Sequence, residues 1–224
     1  MKKVGPDKLV HSYSARNPVA LRVSSGEVFR METHDRFTGV EHLSNILSAD
    51  ASRLNAVTGA VFVEGAEPGH VLQVDILDIA LTLEHGFTFV VPGKGGFGER
   101  LEEALLRRLP IRGSFALYTE DIRVPLAPHV GRIGVAPEGE DVPCSTPGPH
   151  GGNLDNNQFQ RGSSAFFPVF HPGALLALGD IHAAQGDGES ALSGIETAGI
   201  VTLRCTVRKD LSLTYPLAAT RDEV

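Results

Sequence analysis

The sequence predicts a mainly β fold, a sandwich or barrel-like pair of sheets with long loops and about one short helix. Three observations point there. From Ala198 to Val207, Val201, Leu203, Cys205 and Val207 alternate with Thr202, Arg204, Thr206 and Arg208, the period-two pattern of a strand with one face in a core. Leu72, Val74 and Ile76 alternate with Gln73 and Asp75 in the same way. Turn clusters then punctuate the apolar runs: Ser24-Ser25-Gly26, Glu67-Pro68-Gly69 and His171-Pro172-Gly173. At 224 residues the chain can bury a substantial core, as a single domain 1–224 or as two β subdomains, 1–125 and 126–224.

In chain order, Ala20 to Val23 and Val28 to Thr33 flank the first turn cluster and read as a hairpin, with Glu32, His34 and Asp35 at its end. The polar, weakly periodic stretch between Arg36 and Gly59 reads as a long loop that could close over a site. Val61 to Glu64 and Val71 to Ile79 form the next expected pair. Ser164 to Val169 and Ala174 to Gly179 form a third, turned at His171-Pro172-Gly173.

One segment breaks the β pattern. Phe87 to Val91 reads as a strand, Gly93 to Gly98 matches G-x-G-x-x-G, and Glu99 to Leu109 reads as a helix with Leu101, Leu105 and Leu109 on one stripe. Ser114 to Thr119 would be a second strand, and Glu120 stands where a ribose-binding acid belongs in a dinucleotide unit. Against that alternative, Pro92 separates the strand from the first glycine, no further βαβ unit follows, and the flanking pattern is antiparallel. The favoured reading is a glycine-rich loop with one helix resting on a sheet.

A net charge of −7 with no Lys/Arg block argues against a nucleic-acid partner. No apolar run reaches membrane-spanning length, and Met1-Lys2-Lys3 lacks the apolar stretch of a signal peptide. Two cysteines, Cys144 and Cys205, cannot build a disulfide framework, so a cytoplasmic location is expected. Cys205 is a core residue by position.

Two glycine-rich loops between Thr146 and Glu196 carry the dense set of metal-competent side chains: His150, Asp155, Asp180, His182, Asp187 and Glu189. Asp180 and His182, two apart in a strand, share a face. With Asp155 from the other loop they make a mixed nitrogen and oxygen ligand set, which suits zinc and also manganese or iron. Each residue has a plainer role as well: Asp155 as a turn acid, His150 as a hydrogen-bonding partner of a glycine-rich turn. Asp180 to Glu189 could also hold a structural calcium, although His182 and Ala184 fall where an EF-hand needs oxygen ligands.

The segments Pro147-Gly148-Pro149-His150-Gly151-Gly152-Asn153-Leu154-Asp155, Phe167-Pro168-Val169-Phe170 and Gly179 to Glu189 resemble the acetamidase/formamidase amidohydrolases in motif, order and spacing. Glu32-Thr33-His34-Asp35, Val61 to Gly69 and Ile133 to Pro137 fit too, so the resemblance runs to about Val207. It implies a β-rich enzyme that hydrolyses a small linear amide, of the acetamide or formamide type, to carboxylate and ammonia by metal-activated water. Such chemistry needs a nucleophile, an oxyanion stabiliser and a proton for the departing nitrogen. Zinc is the expected metal because hydrolysis needs no redox activity, with Asp155, Asp180, His182 and Glu189 as ligands.

Glu140, just ahead of the first loop, is the expected general acid/base, with Asp35 and His150 as further catalytic candidates. His34, Asn153 and Asp187 are expected at the substrate. Ser163, Ser164 and Cys144 lack an evident base and orienter, which leaves covalent mechanisms weaker. The family often carries Cys after this Asp, and Arg36 is a departure that would alter the pocket. The rival class is a non-catalytic β domain whose loops hold calcium or a small ligand.

Relatives in this family commonly continue past the strand matching Ile200 to Val207. The polar tail after Pro216 here offers nothing evident to pack. An uncovered apolar sheet face would follow, so the expectation is either a shortened form of a longer polypeptide or a homodimer that covers the face.

Overall fold

The computed structural model describes residues 1–37 and 55–220. The expected closing loop between Arg36 and Gly59 falls largely on residues 38–54, outside the described set.

The mainly β expectation holds. Six strands form one sheet in the order Lys2–Val4, Val28–Glu32, Gly199–Arg208, Val71–Leu81, Ser164–Pro168, Leu217–Ala219. A larger sheet runs Arg123–Pro125, Phe115–Leu117, Leu105–Arg112, His85–Val90, Glu196–Thr197, Leu176–His182, His129–Gly134, Gly151–Asn153, and Val57–Glu64 joins it beside Leu176–His182. The two sheets face each other across one core. Phe29, Met31, Leu72, Val74, Ile76, Val201, Leu203 and Cys205 come from the first, and Val61, Val63, Val130, Ile133, Leu176, Leu178 and Ile181 from the second. The alternation read along Ala198–Val207 is observed: Val201, Leu203 and Cys205 are fully buried and Arg204 is exposed.

The three expected hairpins are corrected. In each, the two strands lie in different sheets, so the turn between them is a corner of the sandwich. Leu21–Ser24 pairs in parallel with Val57–Glu64, while Val28–Glu32 pairs with Lys2–Val4 and Gly199–Arg208. Val57–Glu64 and Val71–Leu81 part company at Glu67-Pro68-Gly69, as Ser164–Pro168 and Leu176–His182 do at His171-Pro172-Gly173. The reason is two-sided burial. Leu176–His182 is buried at every position and Val57–Glu64 at all but two, which suits the middle of a covered sheet rather than a local ribbon. Two of the corners are stapled to each other: Gly173 N donates to Ala66 O at 2.8 Å, and Gly69 N donates to Val169 O at 3.0 Å.

The expected helix over Glu99–Leu109 is also corrected. A single 3-10 turn covers Gly98–Arg100, and Leu105–Arg112 is a strand antiparallel to His85–Val90. Phe115–Leu117 then pairs antiparallel with Leu105–Arg112, so the parallel strands and crossover helix of a dinucleotide unit are not formed. A second 3-10 turn covers Asp187–Glu189. The tail after Pro216 packs after all: Leu217–Ala219 pairs with Ser164–Pro168, and Ala218 rests on the main core.

Candidate active site

The central strand Leu176–His182 lies between His129–Gly134 and Glu196–Thr197, in a register that sets His129 opposite His182 and His182 opposite Glu196. Three polar side chains therefore stand in one row across three adjacent strands. Asp180, two residues before His182, joins them from a left-handed backbone conformation (φ 58°). Asp155 arrives from the neighbouring loop, its N–H donating to Gly131 O at 2.9 Å. The expected meeting of the two loops is observed through this strand order, without the hairpin once expected to cause it.

Gly131 forms the floor. A Cβ there would lie 2.7 Å from Asp155 Oδ1 and 3.1 Å from His182 Cε1, so any side chain would fill the space between the two loops.

Gln185 fixes the imidazole. Its amide nitrogen donates to Asp155 O at 2.5 Å, which turns its Oε1 toward His182 Nδ1 at 2.6 Å. His182 Nδ1 thus donates, and Nε2 faces the acids. Nε2 lies 3.1 Å from Glu196 Oε2, 3.7 Å from Asp180 Oδ1 and 4.0 Å from Glu189 Oε1, in hydrogen-bond geometry with none of them. Asp155 Oδ1 is likewise buried without a partner.

The cluster has two resident cations. Arg36 Nη1 donates to Asp180 Oδ1 and, at 3.1 Å, to Glu196 Oε2. Arg132 Nη2 lies 3.3 Å from Asp180 Oδ2, and Arg132 Nε donates to Asn153 Oδ1 at 2.5 Å. Asn153 in turn donates from Nδ2 to Asp155 Oδ2 at 2.6 Å.

Four carboxylates in a buried space cannot all ionise freely. Burial and the Asp180 charge push Asp155 up to about 6. Burial and the Asp155 charge push Glu189 up to about 8, so it holds its proton at neutral pH. Burial works against ionised Asp180 too, but Arg132, Arg36 and His182 outweigh it and hold its carboxyl well below the usual range. Burial also opposes a charged His182, yet Glu196 and Asp180 together hold its imidazole well above its ordinary value. His129 is lowered by burial and by His182.

These residues fit a divalent cation. Asp155, Asp180 and His182 present ligand atoms within 4.8 Å of one another, and so do His182, Glu189 and Glu196. His182 Nε2 and Asp155 Oδ1, buried and unpartnered above a floor kept bare by Gly131, are atoms that could face such a cation.

The other expected residues are placed elsewhere or do simpler work. Asp35 accepts a hydrogen bond from Phe37 N at 2.9 Å and shapes the turn that carries Arg36, while His34 stands half-buried just before it. Asp187 is exposed and accepts from Asn157 Nδ2 at 2.7 Å. Glu189 Oε1 accepts from Gly194 N at 2.8 Å, leaving its other oxygen for the proton. His150 and Glu140 line a separate cavity of about 470 Å³, together with Glu138, Asp141 and Phe170. Glu140 is exposed there, and His150 is buried against Tyr13 with ring centroids 5.0 Å apart.

Glu196, Gln185, Arg132 and His129 were not anticipated. Glu196 had one visible signal, a lone acid in the apolar run Ile195 to Ile200.

A β sandwich with a carboxylate and histidine cluster on its central strand defines the class of protein. The acetamidase/formamidase family model matches residues 10–145 and 142–221, and the chain belongs to that family. A Schizosaccharomyces pombe protein designated a candidate formamidase is 30% identical, covering 89% of this chain and 65% of its own length. An acetamidase of Mycolicibacterium smegmatis is 29% identical over 88% of this chain and 65% of its own. The chain thus spans just under two thirds of these curated relatives. Among solved structures, a predicted acetamidase/formamidase of Thermoanaerobacter tengcongensis superposes with a TM-score of 0.92 at 38% identity, covering 98% of this chain and 73% of that one. A gamma lactamase from Delftia acidovorans superposes at 0.85 with 25% identity, covering 97% of this chain and 69% of that one.

Proposed function

We propose that this chain hydrolyses a short aliphatic amide, of the formamide or acetamide type, to the carboxylate and ammonia at the His182 cluster. The observation that carries this reading is the buried, unpartnered Nε2 of His182 facing Asp180 and Glu196, in a chain similar to formamidases and acetamidases. Asp180 and His182, with Glu196 in place of the Asp155 and Glu189 expected from the sequence, would hold a divalent cation, zinc by preference, which supplies Lewis acidity toward water and the amide carbonyl. A structural calcium near Asp187 to Glu189 stays within the proposal.

The chain's own residues divide the proton work. Asp155, at about 6, is ionised at neutral pH and has Oδ1 free to take a proton from the attacking water. Glu189, at about 8, enters protonated and can deliver that proton to the departing nitrogen. Environments that push two acids apart in this way mark a base and an acid. Glu189 therefore takes the acid role that the sequence suggests for Glu140, which faces the other cavity. Gln185 takes the Nδ1–H of His182, which leaves Nε2 turned to the site.

The test is ammonia release from formamide and acetamide by zinc-loaded protein. Turnover that a chelator abolishes and one metal restores is the expected result. Metal binding without turnover on either amide would favour a non-catalytic β domain. Self-association as a homodimer and a cytoplasmic location belong to the same proposal. The free, buried Cys144 and Cys205 support the latter, and among the described residues no helix is long and apolar enough to cross a membrane.

A further inference from the structure

Resting on that reading of the cluster, we propose that Arg36 is a built-in competitor for the cation: its guanidinium occupies the coordination space of Asp180 and Glu196 and must leave for a divalent ion to bind. The argument starts from shared atoms. The two oxygens nearest His182 Nε2 are Glu196 Oε2 at 3.1 Å and Asp180 Oδ1 at 3.7 Å. Arg36 Nη1 donates to these same two oxygens. A cation bound to Nε2 and to both oxygens would lie about 2 Å from each, closer than a guanidinium sharing those oxygens could tolerate. The two occupants therefore exclude one another by space and by charge.

The arrangement is also built to let Arg36 go. Among the described residues its guanidinium is held by side chains alone, and its buried Nε has no partner. The residue stands on a turn after the Val28–Glu32 strand, so its departure breaks no ladder hydrogen bond. The turn itself is anchored beside it: Phe37 packs on Phe87 with centroids 4.9 Å apart, and Asp35 accepts from Phe37 N. The Phe37 ring lies 5.5 Å from the guanidinium carbon, a cation–π contact that does not depend on the two acids. Arg132 also lies 3.3 Å from Asp180, so removal of Arg36 need not leave that acid without a counter-charge.

Competition predicts that a neutral residue at 36 tightens metal binding. Cobalt(II) titrations followed by visible absorption, and zinc titrations against a chelating dye, compare wild type with Arg36→Met and Arg36→Lys. Folding is checked by circular dichroism. Arg36→Met should bind at least about tenfold more tightly, and Arg36→Lys, which keeps a cation, should stay near wild type. The melting temperature of Arg36→Met should rise more on saturating zinc than that of wild type.

If Arg36→Met folds only with metal, that rescue supports the proposal, and Arg36→Gln, neutral but still a donor, is titrated in its place. Equal or weaker binding by the folded neutral variant overturns the competition. If wild type binds metal and His182→Ala does not, the proposed site stands even then. If neither wild type nor Arg36→Met binds cobalt or zinc, both readings fall.

Discussion

Two regions of this sandwich contain the same ingredients and treat them in opposite ways. The cavity beside Phe170 has Glu138, Glu140, Asp141 and His150; the cluster on the central strand has Asp155, Asp180, Glu189, Glu196 and His182. Each has a buried histidine whose Nε2 lacks a hydrogen bond. His150 is pushed down to about 4 by burial alone, whereas carboxylates within 4 Å lift His182 well above its usual value. What separates them is whether the acids are buried with the ring. In the cavity Glu138, Glu140 and Asp141 are exposed; in the cluster Asp180 and Glu196 are buried with Asp155 and Glu189 half-buried beside them, and the acids must find cations or keep protons.

The sharpest way to break this comparison is to remove one histidine at a time. His182→Ala should lower both metal affinity and amide turnover at least about 100-fold, because a ligand and the hub of two acid groups go together. Isothermal titration and ammonia assays measure the two losses, and retention of both would dissolve the distinction. Next in size, Glu189→Gln should cost more turnover than Glu140→Gln, roughly 10- to 100-fold against a few-fold, with metal content unchanged. The reverse ranking would return the proton role to the exposed cavity.

Gly131→Ala should follow. Its methyl would press on Asp155 Oδ1 and His182 Cε1, costing about 1–3 kcal/mol of stability by urea titration and weakening metal binding.

A smaller effect appears in pH. Glu189 and Asp155 have folded values raised above those of the unfolded chain, so the metal-free native state binds more protons than the unfolded state between about pH 4 and 8. Stability from these groups is present below that window and is lost as pH rises through about 6 and then about 8. His182, also raised, acts in the same direction. Melting temperatures of chelator-treated protein should fall across the window, and Glu189→Gln should flatten the upper half. The least change is expected from His150→Gln, which should leave this slope intact because the wild-type ring is already neutral above about pH 4.

Much of the site was legible because it lies close together in the chain. Asp180 and His182 were linked by strand periodicity alone, and Asp155 by its glycine-rich loop. Glu196 was not, since only sheet register brings it opposite His182. Arg36 was visible as a departure from the family pattern, but nothing in the sequence said which acids it would meet. The helix was misread because residues four apart share a face in a strand as well as in a helix. Leu105 and Leu109 satisfied both periods, and pairing with His85–Val90 decided between them. The hairpin signals mislead because a turn tripeptide announces a change of direction without saying in which sheet the chain resumes.

That change of sheet at successive corners governs how the molecule can form. Leu21–Ser24 and Val28–Glu32, Val57–Glu64 and Val71–Leu81, Ser164–Pro168 and Leu176–His182 each place one strand in either layer, so outside the local meander from His85 to Pro125 the layers are built largely from distant segments. Pairings between distant segments must close long loops before they gain contacts, which makes assembly slow and strongly cooperative. The donors around His182 come from a turn at 36, a loop at 155 and two neighbouring strands, and converge only when both layers have docked. An early intermediate would hold no divalent ion, and zinc added during refolding should slow unfolding far more than it speeds folding.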